Sequence, residues 1–276
     1  MSYNELREEL RRYYSTTSYE NAERKLKEGT EKLDSLFVPN MQSYEMKVLQ
    51  YKVIADIMDP VLFKTSPFYY ETGIIPGFSD GARDYQGHRH IGGWTYWRNN
   101  HKFIDQDEEL WNLTCRQRNE LFYLICGEYN DNSQHFRVNC RPIFEKGLKG
   151  VYEDTERALH ETNIKEEKEF LSAICSGLLF VKKISEKFAN KALEMLEQSP
   201  ENDYLKRISK SAKRCPWERP RTFYEALNTY AFMRKVIGSL EGIGPHTFGR
   251  VDMDLYPFYD ADLKSGRMTE NEAYEL

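Results

Sequence analysis

The chain lacks several things that would place it quickly. No run approaches the roughly 18 apolar residues of a membrane-spanning helix, so none is expected. The N-terminal stretch, Met1 to Tyr14, is charged and helical in pattern and carries no apolar signal core. Together these absences lead us to expect a cytoplasmic protein. The five cysteines (115, 126, 140, 175 and 215) are odd in number and have no Cys-x-x-Cys spacing. That pattern suits reduced thiols better than a disulfide framework or a zinc site. There is no basic excess either: the net charge is −5 and the pI near 5.8, against the basic face that nucleic acid requires. No internal repeat, low-complexity tract or clear linker interrupts the 276 residues.

What is abundant is ring area. Aromatic residues make up 14% of the chain, with 19 Tyr and 15 Phe, so a ring-built helical core or a ring-lined cavity is expected. Charged helices read at 3–14 and 18–34. Residues 42–58 place Met46, Leu49, Val53 and Ile54 on one stripe, with Pro60 beyond. Residues 60–104 hold no helical period and are dense in Gly, Pro and aromatic side chains. A loop of that length is usually functional or packed over a core. Its histidines, His88, His90 and His101, are a weak metal pattern, with no Glu on a nearby helix.

After a helix at 107–126, the turn around His135 leads into a helix from about Pro142. That helix carries Ile143, Phe144, Leu148 and Val151, with Gly147 and Gly150 near the same face. Small residues there mark close approach of another backbone, for packing or for a ligand. Residues 166–197 are the longest periodic element, from Phe170 through Ile174, Leu178, Val181, Ile184, Phe188 and Ala192 to Met195. At 1.5 Å per residue the helix is about 45 Å long, which suits a large helical shell. A basic helix follows at 203–214. Beyond the Pro-rich break at 215–220, Thr222 and Glu225 read as a capping box. The helix so opened points Phe223, Leu227, Tyr230 and Ile237 inward, until Gly238, Gly242 and Gly244 dissolve it. Phe248 to Asp252 reads as a short strand, and Leu255–Ser265 as a short helix stopped by Gly266. A second capping box, Thr269 with Glu272, announces a helix with seven residues left. A free helix that short is marginal, so an element cut part-way is expected.

Order and spacing in the last segments carry a resemblance. They run Thr222-Phe-Tyr-Glu-Ala-Leu227, an amphipathic helix, Glu241 with a Gly-rich turn, and Gly249-Arg250-x-Asp252. Leu255-Tyr-Pro-Phe-Tyr259, Asp262-Leu, Gly266 and Arg267-Met-Thr-x-x-Glu-Ala273 follow. Upstream, Phe144-x-x-Gly147-Leu-Lys-Gly150 fits more loosely. This block resembles the glycyl radical enzyme family, of the pyruvate formate-lyase type. The resemblance implies a mainly α chain with a few strands. Residues 1–276 would form the N-terminal part of a fold in which helices surround a ten-stranded barrel, incomplete here and without the glycyl radical domain.

The resemblance further implies radical cleavage of a C–C, C–O or C–N bond, with an eliminase or dehydratase preferred over formate acetyltransferase. No cofactor would be bound by this chain. The glycyl radical of the intact enzyme is installed by a separate iron–sulfur, S-adenosylmethionine activase. Partners would be that activase, a small-molecule substrate, and a C-terminal half or complementary subunit; intact members are often dimeric. The family's catalytic Cys and radical Gly lie beyond the position of Leu276, and Cys126-Gly-Glu128 stands in the wrong context. The catalytic set is therefore empty here, and the chain alone is expected to be inactive and to aggregate or depend on a partner.

The resemblance also points to substrate-binding residues. His135, His246 and Thr247 can bond a hydroxyl, and a histidine can donate a proton to a leaving group. An exposed loop histidine is the competing reading for His135. Arg250 and Asp252 are expected to be structural, through a strand-end ion pair or hydrogen bonds that hold the half-barrel. The alternative to the whole picture is a non-enzymatic helical protein whose aromatic loop binds a ligand or partner.

Overall fold

A computed structural model describes residues 3–15, scattered positions from 24 to 38, and residues 41–69, 138–241 and 249–276. Eight helices are described: α1 Tyr3–Ser15, α2 Ser43–Ile57, α3 Arg141–Glu161, α4 Lys165–Gln198, α5 Asp203–Arg214, α6 Phe223–Glu241, α7 Val251–Lys264 and α8 Glu270–Glu275. No strand runs through the described residues. α4 is the spine: α2, α3 and α5 pack along it, and α6 packs against α2 and α7.

The periodicity of α4 explains its position. Val181, Ile184, Phe188 and Ala192 face inward and are buried, together with Cys175 and Ser185. Phe170, expected to begin that stripe, is instead 51% exposed and meets only the edge of Tyr44, because the stripe drifts off the core in the first turns. α5 buries Leu205, Ile208 and Ala212 on α4, and Asn202 caps it by accepting the Leu205 N–H at 2.9 Å. The 60–104 loop enters the core at its start. Tyr69 is fully buried, and its ring lies 5.6 Å from Phe188 and 5.5 Å from Phe232. Phe188 and Phe232 meet edge-on at 5.8 Å. The rest of that loop, with His88, His90 and His101, lies outside the described residues.

Three expectations are corrected. The strand expected up to Asp252 is a helix start. Gly249 turns the chain at φ 69°, the Arg250 carbonyl accepts the N–H groups of Met253 and Asp254, and Asp252 and Asp254 complement the helix dipole. α6 runs through Gly238 to Glu241, and Gly242 and Gly244, the other two glycines expected to dissolve it, lie outside the described residues. Its burial also extends well beyond the expected stripe. Tyr224, Ala226, Asn228, Phe232, Val236 and Leu240 are all buried, because α6 is covered from more than one side, whereas Phe223, Leu227 and Ile237 are partly exposed. Finally, only half of the Thr222 capping box forms. Thr222 Oγ1 accepts the Glu225 N–H at 3.2 Å, but the Glu225 carboxylate takes the Arg221 N–H and the Arg214 guanidinium instead.

Gly147 interrupts α3 at φ 71°, ψ 170°. A Cβ there would sit 2.4 Å from the Trp217 carbonyl oxygen. The interruption leaves two N–H groups for other partners: Leu148 donates to the Pro216 carbonyl at 2.9 Å and Lys149 to that of Trp217 at 2.8 Å. So Gly147 serves a backbone-to-backbone contact, which resolves one of the two glycines toward packing.

At the end of α2, Asp56 gathers Lys183 at 2.6 Å, Lys52 at 2.8 Å and Lys32 at 3.4 Å. Lys187 donates to the carbonyls of Asp56 and Met58, both at 2.8 Å, which closes the C-terminus of α2. Burial pushes the Asp56 carboxyl up, but the hydrogen bonds and charges of Lys183 and Lys52 outweigh it and hold the group far below the usual range.

Gly147→Ala should lower stability by about 3 kcal/mol or more, from the added backbone clash and the left-handed conformation. The expected readout is a lower urea midpoint at unchanged slope. Asp56 has a depressed folded pKa, so its stabilisation is present above its unfolded pKa, near 3.9, and is lost as pH falls through the folded value. Asp56→Asn should therefore lower the melting temperature at pH 7 and flatten its decline below about pH 4. An unchanged acid limb in a melting series from pH 2 to 7 would contradict this.

Candidate functional site

The resemblance placed function around the end of α6 and the start of α7. His246 and Thr247 fall in the 242–248 stretch, outside the described residues, as does His135. The elements that flank these positions are described. The last turn of α6 is held by Gln50, whose amide donates to the Leu240 carbonyl at 2.5 Å. Gly249 and Arg250 then begin the turn into α7. Arg250 and Asp252 do form a bidentate pair, at 3.1 and 3.0 Å. Both side chains are more than two-thirds exposed, so the pair belongs to the helix start and holds no buried group. The expected ion pair is present, but at the head of a helix instead of a strand end.

Beneath this lies a clamp that the sequence reading passed over. Asp262 is 3% exposed. Its carboxylate accepts the Phe223 N–H at 2.8 Å, which satisfies a free donor at the N-terminus of α6. Its other oxygen accepts from Arg267 Nε at 2.8 Å. One buried carboxylate thus ties α6, α7 and the turn after α7 together. Rings close the same joint: Phe223 with Tyr259 at 5.6 Å, and Phe144 with Phe258 at 5.4 Å. The available signal was the Asp262–Leu263 pair within the motif, followed five residues later by an arginine.

A second buried polar cluster fixes the entry to the aromatic loop. The Pro67 carbonyl accepts from Tyr224 Oη at 2.5 Å and from Asn228 Nδ2 at 3.2 Å. Tyr69 Oη donates to the Cys215 carbonyl at 3.2 Å, and the Ser185 hydroxyl lies 2.6 and 2.7 Å from the carbonyls of Ala212 and Cys215. Burial pushes the Tyr224 hydroxyl well above the usual phenol range and so keeps it a neutral donor.

The described cysteines, 140, 175 and 215, are free and buried. Burial pushes the Cys215 thiol up to about 12, so it is no ready nucleophile. Among the described residues, no three His, Cys, Asp or Glu side chains gather as a metal site would require. Also among them, no helix is long and apolar enough to cross a membrane.

Comparison with known proteins places this scaffold. A 90% share of the chain superposes on 33% of a solved structure concerned with 1,2-propanediol dehydration in Roseburia inulinivorans, with a TM-score of 0.66 and 19% identity. A glycyl radical enzyme from Archaeoglobus fulgidus covers 92% of the chain with 39% of its own, at a TM-score of 0.61 and 18% identity. The described part of the chain thus shares the fold of part of a glycyl radical enzyme. Residues 96–276 match the family described as pyruvate formate lyase-like, and the chain belongs to that family. Trans-4-hydroxy-L-proline dehydratase of Clostridioides difficile is 28% identical over 147 residues, 49% of this chain and 18% of that protein. The probable dehydratase YbiW of Escherichia coli is 28% identical over 155 residues, 53% of this chain and 19% of that protein. The chain therefore spans about a fifth of these curated relatives.

Asp262→Ala should cost about 3 kcal/mol, because it leaves the Phe223 N–H and Arg267 without their acceptor. Arg267 is half exposed, so Arg267→Ala alone should cost about 1 kcal/mol. Urea unfolding of both single variants and the double variant should give a coupling near that smaller value. Additive losses would mean that the clamp does not act as one unit.

Proposed function

We propose that this chain forms part of the substrate chamber of a glycyl radical enzyme that eliminates water or another leaving group from a small hydroxylated substrate. Family membership over residues 96–276 carries the reading, and two dehydratases among the curated relatives support elimination over acyl transfer. On this reading the chain is the N-terminal part of a larger fold and supplies helices and some strands of an incomplete ten-stranded barrel. The catalytic cysteine and the radical glycine come from sequence outside these 276 residues. On this proposal a C-terminal half or a complementary subunit supplies them. A separate iron–sulfur activase, using S-adenosylmethionine, installs the radical. On this reading the enzyme works in the cytoplasm, where its cysteines stay reduced.

His135, His246 and Thr247 are the substrate-facing residues of this proposal. A histidine beside the substrate hydroxyl can protonate it as the C–O bond breaks, which turns a poor leaving group into water. Thr247 can hold a second hydroxyl in place. The described scaffold supports the arrangement by fixing both ends of the 242–248 stretch, through Gln50 on one side and the α7 start on the other.

The test combines the chain with the remaining family sequence and an activase under anaerobic conditions. An organic-radical resonance should appear, together with water elimination from a 1,2-diol or from 4-hydroxyproline. His135→Gln should lower turnover at least tenfold while the radical signal persists. The chain alone should give neither signal nor turnover. Turnover by the chain alone, or a reconstituted system without a radical, would overturn the proposal.

A further inference from the structure

We infer that a surface cleft between α5, the start of α6 and α8 binds a small carboxylate-bearing molecule. The cleft has a volume of about 510 Å³, within the roughly 300–1,000 Å³ of small-ligand sites. Tyr204, Arg207 and Lys210 line one wall at a spacing of three residues, which puts them on one face of α5. The opposite face of that helix, Leu205, Ile208 and Ala212, is buried on α4, so this wall is rigidly seated.

The charges in the cleft divide into those already used and those left over. Glu225 accepts from Arg214 at 2.8 Å and from the Arg221 N–H at 2.7 Å. Asp262 accepts from Phe223 and Arg267, both at 2.8 Å. Glu272 accepts the Thr269 N–H at 2.7 Å and its hydroxyl at 2.9 Å. Arg207 and Lys210 make no ion pair with a carboxylate among the described residues, although the charge of Arg207 reaches Glu272 across the cleft; Arg207 lies 4.9 Å from the centre of the Tyr224 ring. That ring is pinned through its hydroxyl to the Pro67 carbonyl. The guanidinium thus sits over a fixed ring, where its N–H groups can meet a planar carboxylate.

The far wall selects the charge and shape of the ligand. Glu275 also lines the cleft, without a partner among the described residues, and repels a second negative charge. A monoanion satisfies Arg207 and Lys210 without facing Glu275, whereas a phosphate dianion does not. Tyr204, Met268 and Pro67 offer apolar area to the body of the ligand.

Isothermal titration of the whole chain with benzoate, benzamide and phenyl phosphate tests this. Benzoate should bind, with benzamide and phenyl phosphate each at least tenfold weaker. Lys210→Gln, on the exposed face of α5, should weaken benzoate severalfold, and Arg207→Gln at least tenfold. Lys213→Gln, also exposed but off the cleft, should leave binding unchanged. If Arg207→Gln fails to fold, Lys210→Gln carries the test. Equal binding of benzoate and benzamide, an equal loss in Lys213→Gln, or no benzoate binding at 10 mM overturns the inference; these outcomes are independent of radical activity.

Discussion

The packing of Tyr69 between Phe188 and Phe232 is the constraint on which the described scaffold depends. Three rings from three separate segments meet within 5.8 Å of one another, all fully buried. Each ring pair contributes about 0.5–1.5 kcal/mol beyond its buried area. The Tyr69 hydroxyl would be costly there without a partner, and the Cys215 carbonyl supplies one. This contact joins the start of the aromatic loop to the middle of α4 and α6, and to the turn after α5. Residues far apart in sequence are thereby set in one frame.

The other joints follow from that frame. Once the 215–219 turn is anchored by Tyr69 and Ser185, its carbonyls are presented to α3. Leu148 and Lys149 can donate to them only because Gly147 lets the two backbones touch. On the other side, α6 presents the Phe223 N–H to Asp262, and Arg267 completes the clamp. The family's motif residues in the described region thus act chiefly through joints between helices. Gly147 allows a backbone contact, Asp262 closes a buried clamp, and Gly249 and Arg250 start α7. Any pocket formed by neighbouring segments inherits its geometry from these joints.

Such joints are legible in sequence only in part. Gly147 could be read as a close-approach residue, because a helical period containing glycine invites that inference, but the approaching partner lay seventy residues away. Asp262 carried no visible role, since its acceptor function depends on where α6 begins. Arg250 and Asp252 looked like a strand-end pair because a short apolar-polar alternation has no period long enough to separate strand from helix. The candidate substrate residues, His135, His246 and Thr247, rest on family resemblance and lie outside the described residues.

What the sequence by itself determined is the set of long elements and their ends. The stripes of α2 and α4, the cap at Thr269, and the stop at Gly266 are local, set by side-chain spacing and backbone capping within a few residues. Family membership was also written locally, in the order and spacing of residues 222–273. Tertiary structure decided the rest. It chose which face of α6 is inward, because burial there comes from neighbours on more than one side. It turned Glu225 from a capping-box partner into the acceptor for Arg214 and Arg221. It also left Arg207 and Lys210 outside any ion pair among the described residues, while Glu225, Asp262 and Glu272 found donors. These outcomes depend on partners brought together by folding, and no local window of sequence contains them.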